Sequence, residues 1–251
     1  MATYSTLGIT LLAHKYKGTG RVVTFYTSAR GKVEAVAQGI GRPGSKLAPA
    51  VELFTLSKLM FAEGRDLDRL AQAEVIEAHY PLRQDMTRLA YASYVAELTA
   101  RTSEPSEPLP GLFEHLTAAY SALCRGEDPE LVLWWYLLGL FAAHGLAPNL
   151  GECCQCGAAL GGDAWYLPAE AGLLCARCRT GENGMLLSAE ARGTLQSIAR
   201  MPAERLSRLG ISDEARGQIR RVMDAHTDHQ FGVDTKSRRF IRQLPGMKPE
   251  T

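Results

Sequence analysis

Four cysteines carry the sharpest chemical signal in the chain: Cys153-x2-Cys156 and, after eighteen residues, Cys175-x2-Cys178. Two thiolates separated by two residues fit one tight turn, and two such turns can enclose a tetrahedral metal. Four sulfur ligands leave no open coordination position, so the expected metal, one zinc ion, is structural rather than catalytic. It would hold together a small element with too little apolar core of its own. Cys154 adjoins the first pair, but Cys154-x-Cys156 is too short for the usual knuckle. Cys124 falls on a helical stretch and reads as a small core residue. Neither pair sits in a thioredoxin-like βαβ pattern, which argues against redox chemistry.

The second pattern is charge. The formal net charge is only +1, but residues 1–60 hold eight Lys/Arg against two acids, and residues 61–150 hold six against thirteen. Such asymmetry focuses a polyanion onto one end of a molecule. Lys15, Lys17, Arg21, Arg30, Lys32, Arg42 and Lys46 are the candidate DNA-binding cations, with Tyr16 beside them and Phe25, Tyr26 and Phe54 interleaved. Cations for phosphates and exposed rings for bases make up nonspecific single-strand recognition. The alternation of a strand requires one of Phe25 and Tyr26 to face inward. The glycine-rich run Gly39 to Lys46 resembles a P-loop, but Ser45 precedes Lys46 where a Walker motif needs Lys before Ser or Thr. It reads as a basic loop following a DNA backbone.

No other grouping supports catalysis, and the expectation is a protein that is not an enzyme. Asp66 and Asp68 lie on an acidic turn without a further acidic cluster. His226 and His229 have helical spacing but lack completing ligands, and read as polar residues at a helix end. Trp134, Trp135 and Tyr136 read as core.

Positioning these groups needs two kinds of element. Leu7–Ala13, Val22–Tyr26, Lys32–Ala37, Val51–Ala62 and Leu70–Tyr80 read as five strands separated by glycines, a number and span that match an OB-fold barrel. Helices follow Pro81, around Met86–Leu98 and Leu112–Leu123. A third begins at Asp128-Pro129 and ends at Gly145, and its LVLWWYLLGLFAAH sequence is apolar all round, as a central bundle helix is. Pro105, Pro108 and Pro110 mark a loop between the first two. Ala164–Leu167 reads as a strand between the knuckles. Ser188 and Ser212 can cap two later helices, the second running to about His226, and Lys236–Leu244 reads as a short last helix. The expected class is α+β: an N-terminal OB-fold β-barrel (1–80), an α-helical domain in two parts (81–152 and 181–251), and an inserted four-cysteine zinc element (153–180). Residues 131–144 are too short to cross a bilayer, and with no secretory leader pattern the expected location is the cytoplasm.

The order of several short motifs resembles the bacterial RecO family of recombination mediators. They are Thr24-Phe25-Tyr26-Thr27 leading to Gly31-Lys32, Val36 to Gly39 and the loop to Lys46, and Ala73-Glu74. Tyr94-x-x-Glu97-Leu98, Gly145-Leu146-Ala147-Pro148 before Cys153, and Lys236 to Ile241 continue the match. The resemblance implies an OB-fold, a helical domain and a zinc element. It also implies binding of single- and double-stranded DNA, annealing of complementary strands, and loading of the recombinase RecA in a nucleoid-associated setting. RecR, RecF and single-strand-binding protein are the partners it implies. The alternative reading is a non-catalytic protein-interaction scaffold with a structural zinc.

Overall fold

A computed structural model of the protein describes residues 2–181 and 184–244; residues 245–251 of the expected last helical part lie outside them. The architecture is mixed α+β. The chain divides into two compact units, residues 1–129 with 235–251, and residues 130–234. The change from strands to helices near residue 80 therefore lies inside the first unit.

In the first unit, β1 (Thr3–Lys15), β2 (Arg21–Thr27), β3 (Gly31–Ala37), β4 (Leu56–Ala62) and β5 (Asp68–Glu77) pair in a ring ordered β1-β2-β3-β5-β4. All neighbours are antiparallel except β3 and β5, and β4 returns to β1. Alternation along the strands sends Val23, Phe25, Val33, Ala35, Leu59, Phe61 and Leu70 into the interior. Phe25 meets Phe61 edge-on, with ring centroids 5.6 Å apart.

The run Val51–Ala62 is not one strand. Residues 49–51 form a 3-10 turn and Phe54 takes a left-handed conformation (φ 69°), so β4 begins only at Leu56. The strain is held because the Phe54 N–H donates to the Thr10 carbonyl and its buried ring packs on Tyr120. Likewise β5 stops at Glu77, because His79 is left-handed and Tyr80–Arg83 coil into a 3-10 turn.

Among the described residues, three helices complete this unit. α1 (Met86–Thr102) is capped by Asp85, whose carboxylate accepts from the Arg88 N–H; α2 is Leu112–Arg125. The third comes from a distant part of the chain, Lys236–Ile241. The proline-rich segment between α1 and α2 is more than a loop. The Ser106 N–H donates to the Lys32 carbonyl, and the Leu109 N–H donates to the Tyr26 hydroxyl. A Cβ on Gly31 would lie 2.4 Å from the Glu107 carbonyl oxygen, and Gly31 has φ +57°, so only glycine fits there. This segment covers the outer face of β2 and β3 at that end.

The second unit starts with α3 (Pro129–Ala143), which buries Trp134 and Tyr136; Trp135 donates its indole N–H to the Met201 carbonyl. A four-stranded sheet follows, ordered β6-β8-β7-β9, from β6 (Asn149–Cys153), β7 (Ala164–Leu167), β8 (Gly172–Leu174) and β9 (Met185–Leu187). Ser188 and Ser212 cap α4 (Ala189–Arg200) and α5 (Asp213–Phe231), each hydroxyl accepting from an N–H three residues on. The last helix, α6 (Lys236–Ile241), capped by Thr235, belongs to the first unit.

His226 departs from its expected place at a helix end, because α5 runs on to Phe231 and buries the ring completely. Nε2 lies 2.9 Å from the Leu146 carbonyl, which can only accept, so Nε2 carries the proton and Nδ1 accepts from the Tyr166 hydroxyl. Burial holds the imidazole below its ordinary pKa. The neutral ring is thus the native form. Its contribution to stability is full above the unfolded value of about 6.5 and is lost as pH falls below it. Urea unfolding of the 130–234 unit should therefore show a lower midpoint at pH 5.5 than at 7.5. His226→Gln should flatten that difference; an unchanged pH dependence in the variant would assign it to other groups.

Candidate nucleic-acid surface and metal centre

The four cysteines converge. Cys153 ends β6, Cys156 follows in its turn, and Cys175 and Cys178 lie on the turn after β8. Both turns are closed by backbone hydrogen bonds, Gly157 N–H to the Cys153 carbonyl (2.9 Å) and Cys178 N–H to the Cys175 carbonyl (3.1 Å). All four Sγ atoms lie within 4.8 Å of one another. Tetrahedral metal–sulfur bonds of about 2.3 Å place sulfurs about 3.8 Å apart, and the Cys156 and Cys175 sulfurs are separated by 3.9 Å. The donor set and its spacing fit a thiophilic metal ion.

The four thiols also lie close enough to perturb one another's ionisation. Burial pushes the Cys153 thiol up, but N–H groups of Cys175, Cys156 and Gln155 outweigh it and bring the group down to about 6. Cys178 shares hydrogen bonds with the neighbouring thiols and is pushed up to about 12. A dication would take every ligand as thiolate, ending the competition of these neighbouring thiols for protons. Cys154 points elsewhere, against Gly172, and is outside the cluster. Among the described residues, these four cysteines are the one group of three or more His, Cys, Asp or Glu side chains placed to hold a metal. Asp68 instead serves the barrel, accepting from the Tyr4 hydroxyl (2.5 Å) and the Gly64 N–H (3.0 Å).

The barrel gathers most of the predicted cations at one end. Lys15 and Arg21 face each other across the β1–β2 pair, and the intervening turn is closed by Tyr16 N–H to the Gly20 carbonyl. The glycine-rich loop folds against this turn, so that a Cβ on Gly41 would sit 3.3 Å from Thr19. Between them lies a depression of about 300 Å³ lined by Lys15, Arg21, Ile40, Ala48, Val51 and Glu52, with Gly18–Gly20 and Gly41. Arg42 and Lys46 are exposed on the loop that forms its wall, and Lys15, Tyr16 and Lys17 are exposed on the turn.

Arg30 and Lys32 stand apart. They sit at the other end of β2, Lys32 on β3 opposite Tyr26 and Arg30 in the turn past the strand, about 20 Å away. The Arg30 guanidinium covers the Tyr4 ring at 3.7 Å and donates to Glu63 at 2.8 Å. Lys32 donates its ammonium to the Ala100 carbonyl in the last turn of α1 (3.0 Å). Of the four interleaved aromatics, Phe25, Tyr26 and Phe54 are fully buried, and Tyr16 is the ring left open. Tyr26 points out of the barrel as alternation requires, but the proline-rich segment covers it. Sequence reasoning missed Glu52, one of only two acids in the first sixty residues and the only acidic side chain lining the depression.

No helix among the described residues is long and apolar enough to cross a membrane. Comparison with known proteins covers nearly the whole length. The family profile described as "Recombination protein O N terminal" matches residues 1–79, and "Recombination protein O C terminal" matches residues 83–239. The chain is 31% identical to the DNA repair protein RecO of Bacillus cereus, covering 94% of this chain and 96% of that protein. It is 29% identical to the RecO of Halalkalibacterium halodurans and 28% identical to that of Bacillus subtilis, each over 96% of this chain and 94% of the relative. With both halves of the profile matched in order across nearly every residue, the chain belongs to the recombination protein O (RecO) family of DNA repair proteins.

Proposed function

We propose that this RecO-family protein binds single- and double-stranded DNA through the cationic end of its barrel and anneals complementary strands. Acting with RecR and RecF, it helps load the recombinase RecA onto DNA covered by single-strand-binding protein. The single observation that carries the DNA-binding part is the grouping of Lys15, Lys17, Arg21, Arg42 and Lys46 around one depression, with Tyr16 exposed among them. Lysine and arginine contacts to phosphate are indifferent to base sequence, as a repair protein meeting arbitrary DNA requires. Positive charge between two strands also lowers their mutual repulsion as they approach, and no bond in DNA is made or broken. The partners and the recombinase rest on family membership alone.

The metal in this reading is one zinc ion. Four thiolates in a tetrahedron select zinc or an iron–sulfur centre over harder cations. Cys153, Cys156, Cys175 and Cys178 would hold it, and when bound it supplies architecture, with no open position for water.

A salt titration of oligonucleotide binding tests the DNA surface. Changing Lys15, Lys17, Arg42 and Lys46 together to alanine should weaken single-strand binding. The slope of log affinity against log salt should flatten by about 3, because each phosphate left without its cation removes roughly 0.7. A folded quadruple variant with unchanged affinity and slope would remove these residues from the interface. Absence of salt-sensitive binding by the unaltered protein would favour a protein-interaction scaffold instead.

A further inference from the structure

The depression at the barrel end contains a residue that a surface built only for phosphates should exclude. Glu52 lines it, its side chain 53% exposed, with one carboxylate oxygen 3.9 Å from the Arg21 guanidinium. A carboxylate beside phosphates is repelled unless it meets a hydrogen-bond donor, and the donors that a DNA strand offers along its length are the N–H groups of its bases. The rest of the lining suits a base. Ile40, Ala48 and Val51 are apolar, and Gly18, Gly20 and Gly41 let a planar ring approach the backbone closely. The volume of about 300 Å³ is at the small end of ligand-sized clefts and has room for one nucleoside. At the rim, the exposed Tyr16 ring lies 3.7 Å from where a Cβ on Gly20 would stand.

We infer that this depression is a nucleobase cup, taking one unpaired base from a strand and reading it through Glu52, with guanine the base it fits best. Guanine carries N1–H and an exocyclic amine side by side on its pairing edge, matching the two carboxylate oxygens. Adenine, cytosine and thymine each present a donor from one atom only. Lys15 and Arg21 flank the cup and would take the phosphates on either side of the extruded base, Arg21 exchanging its long contact with Glu52 for a phosphate oxygen. The inference rests on the DNA surface proposed above and adds a base-reading element to it. In a duplex the pairing edge is already occupied, so the cup engages single strands alone. It must give up its base when a complement pairs, leaving the annealed product held by phosphate contacts only.

Fluorescence anisotropy with the full-length protein at one salt concentration tests this. The probes are an oligothymidylate, the same strand with one central guanine, and the same strand with inosine at that position. The guanine strand should bind about fivefold tighter than oligothymidylate, the lower end for a good bidentate base contact. Inosine, which lacks the exocyclic amine, should fall between. Glu52→Gln, confirmed as folded by its melting curve, should bring the three affinities together and raise that for oligothymidylate slightly, because a like charge is gone. Equal binding of all three strands by the unaltered protein overturns the cup, as does a guanine preference that survives in Glu52→Gln. Loss of salt-sensitive binding to oligothymidylate itself would overturn the phosphate surface and the cup together, so the two failures are told apart.

Discussion

Changing Cys153 to serine is expected to abolish stoichiometric metal binding and to unfold the cysteine-bearing sheet of the 130–234 unit. The sheet is built from strands of three to five residues, too short to persist without outside support. Its apolar centre is small, with Tyr166, Leu173 and Leu187 fully buried and Leu150 and Leu160 nearly so. Cys153 is the most deeply placed of the four ligands, 2% exposed, and its sulfur also accepts from the Cys175 N–H. Structural zinc sites contribute about 10 kcal/mol or more to folding in small zinc peptides, comparable to the whole stability of an average domain. Metal analysis and limited proteolysis on the same sample check this. The variant should lose its metal and be cleaved between residues 149 and 187, and a chelator should reproduce both effects on the unaltered protein. DNA binding by the barrel should survive in the same sample. A metal-free variant that resists protease as the parent does would show that the apolar centre is sufficient alone.

Glu130→Ala should strongly destabilise the 130–234 unit. The Glu130 side chain is 7% exposed and accepts from Arg216 Nη1 (2.8 Å) and from Arg220 Nε (2.6 Å) and Nη2 (3.1 Å). Removing the carboxylate takes away the anion that both guanidinium groups share. Breaking a buried ion pair from one side costs about 3–5 kcal/mol. Arg216 and Arg220 keep roughly a quarter to a third of their exposure to water, so the lower end of that range is expected. Urea unfolding would measure it, and combining Glu130→Met with Arg220→Met should recover part of the loss. If Glu130→Ala costs less than about 1 kcal/mol, in the range of a surface pair, the triad is solvated in solution.

The four-cysteine cluster was legible in the sequence because residue type and spacing are local properties, and cysteines two residues apart have few other uses. The barrel interior was legible for a similar reason, since alternation places Val23 and Phe25 on one face whatever the partner strand. What escaped were features fixed by distant chain. Nothing local separates Lys15, left open at the barrel end, from Lys32, whose ammonium is taken up by a helix terminus sixty-eight residues away. Tyr26 looked available for stacking because a segment with three prolines reads as an excursion into solvent, whereas it lies down as a lid. Phe54 broke an apparently continuous strand because its ring found a pocket on Tyr120 that outweighed the local preference for extended backbone. His226 was misplaced because its polar type hides a ring whose two nitrogens are both matched inside the core.

The return of residues 235–244 to the first unit has a consequence for synthesis. Ser237 donates its hydroxyl to Glu97 on α1 (2.9 Å), and Thr235, Ser237, Arg238 and Ile241 are buried there. Residues 130–234 must all leave the ribosome before that piece exists. At about 5–20 residues per second, the nascent barrel waits on the order of ten seconds with one flank of α1 bare. During that interval the emerging polypeptide is a natural client for chaperones, and a stop codon before Thr235 would make the wait permanent.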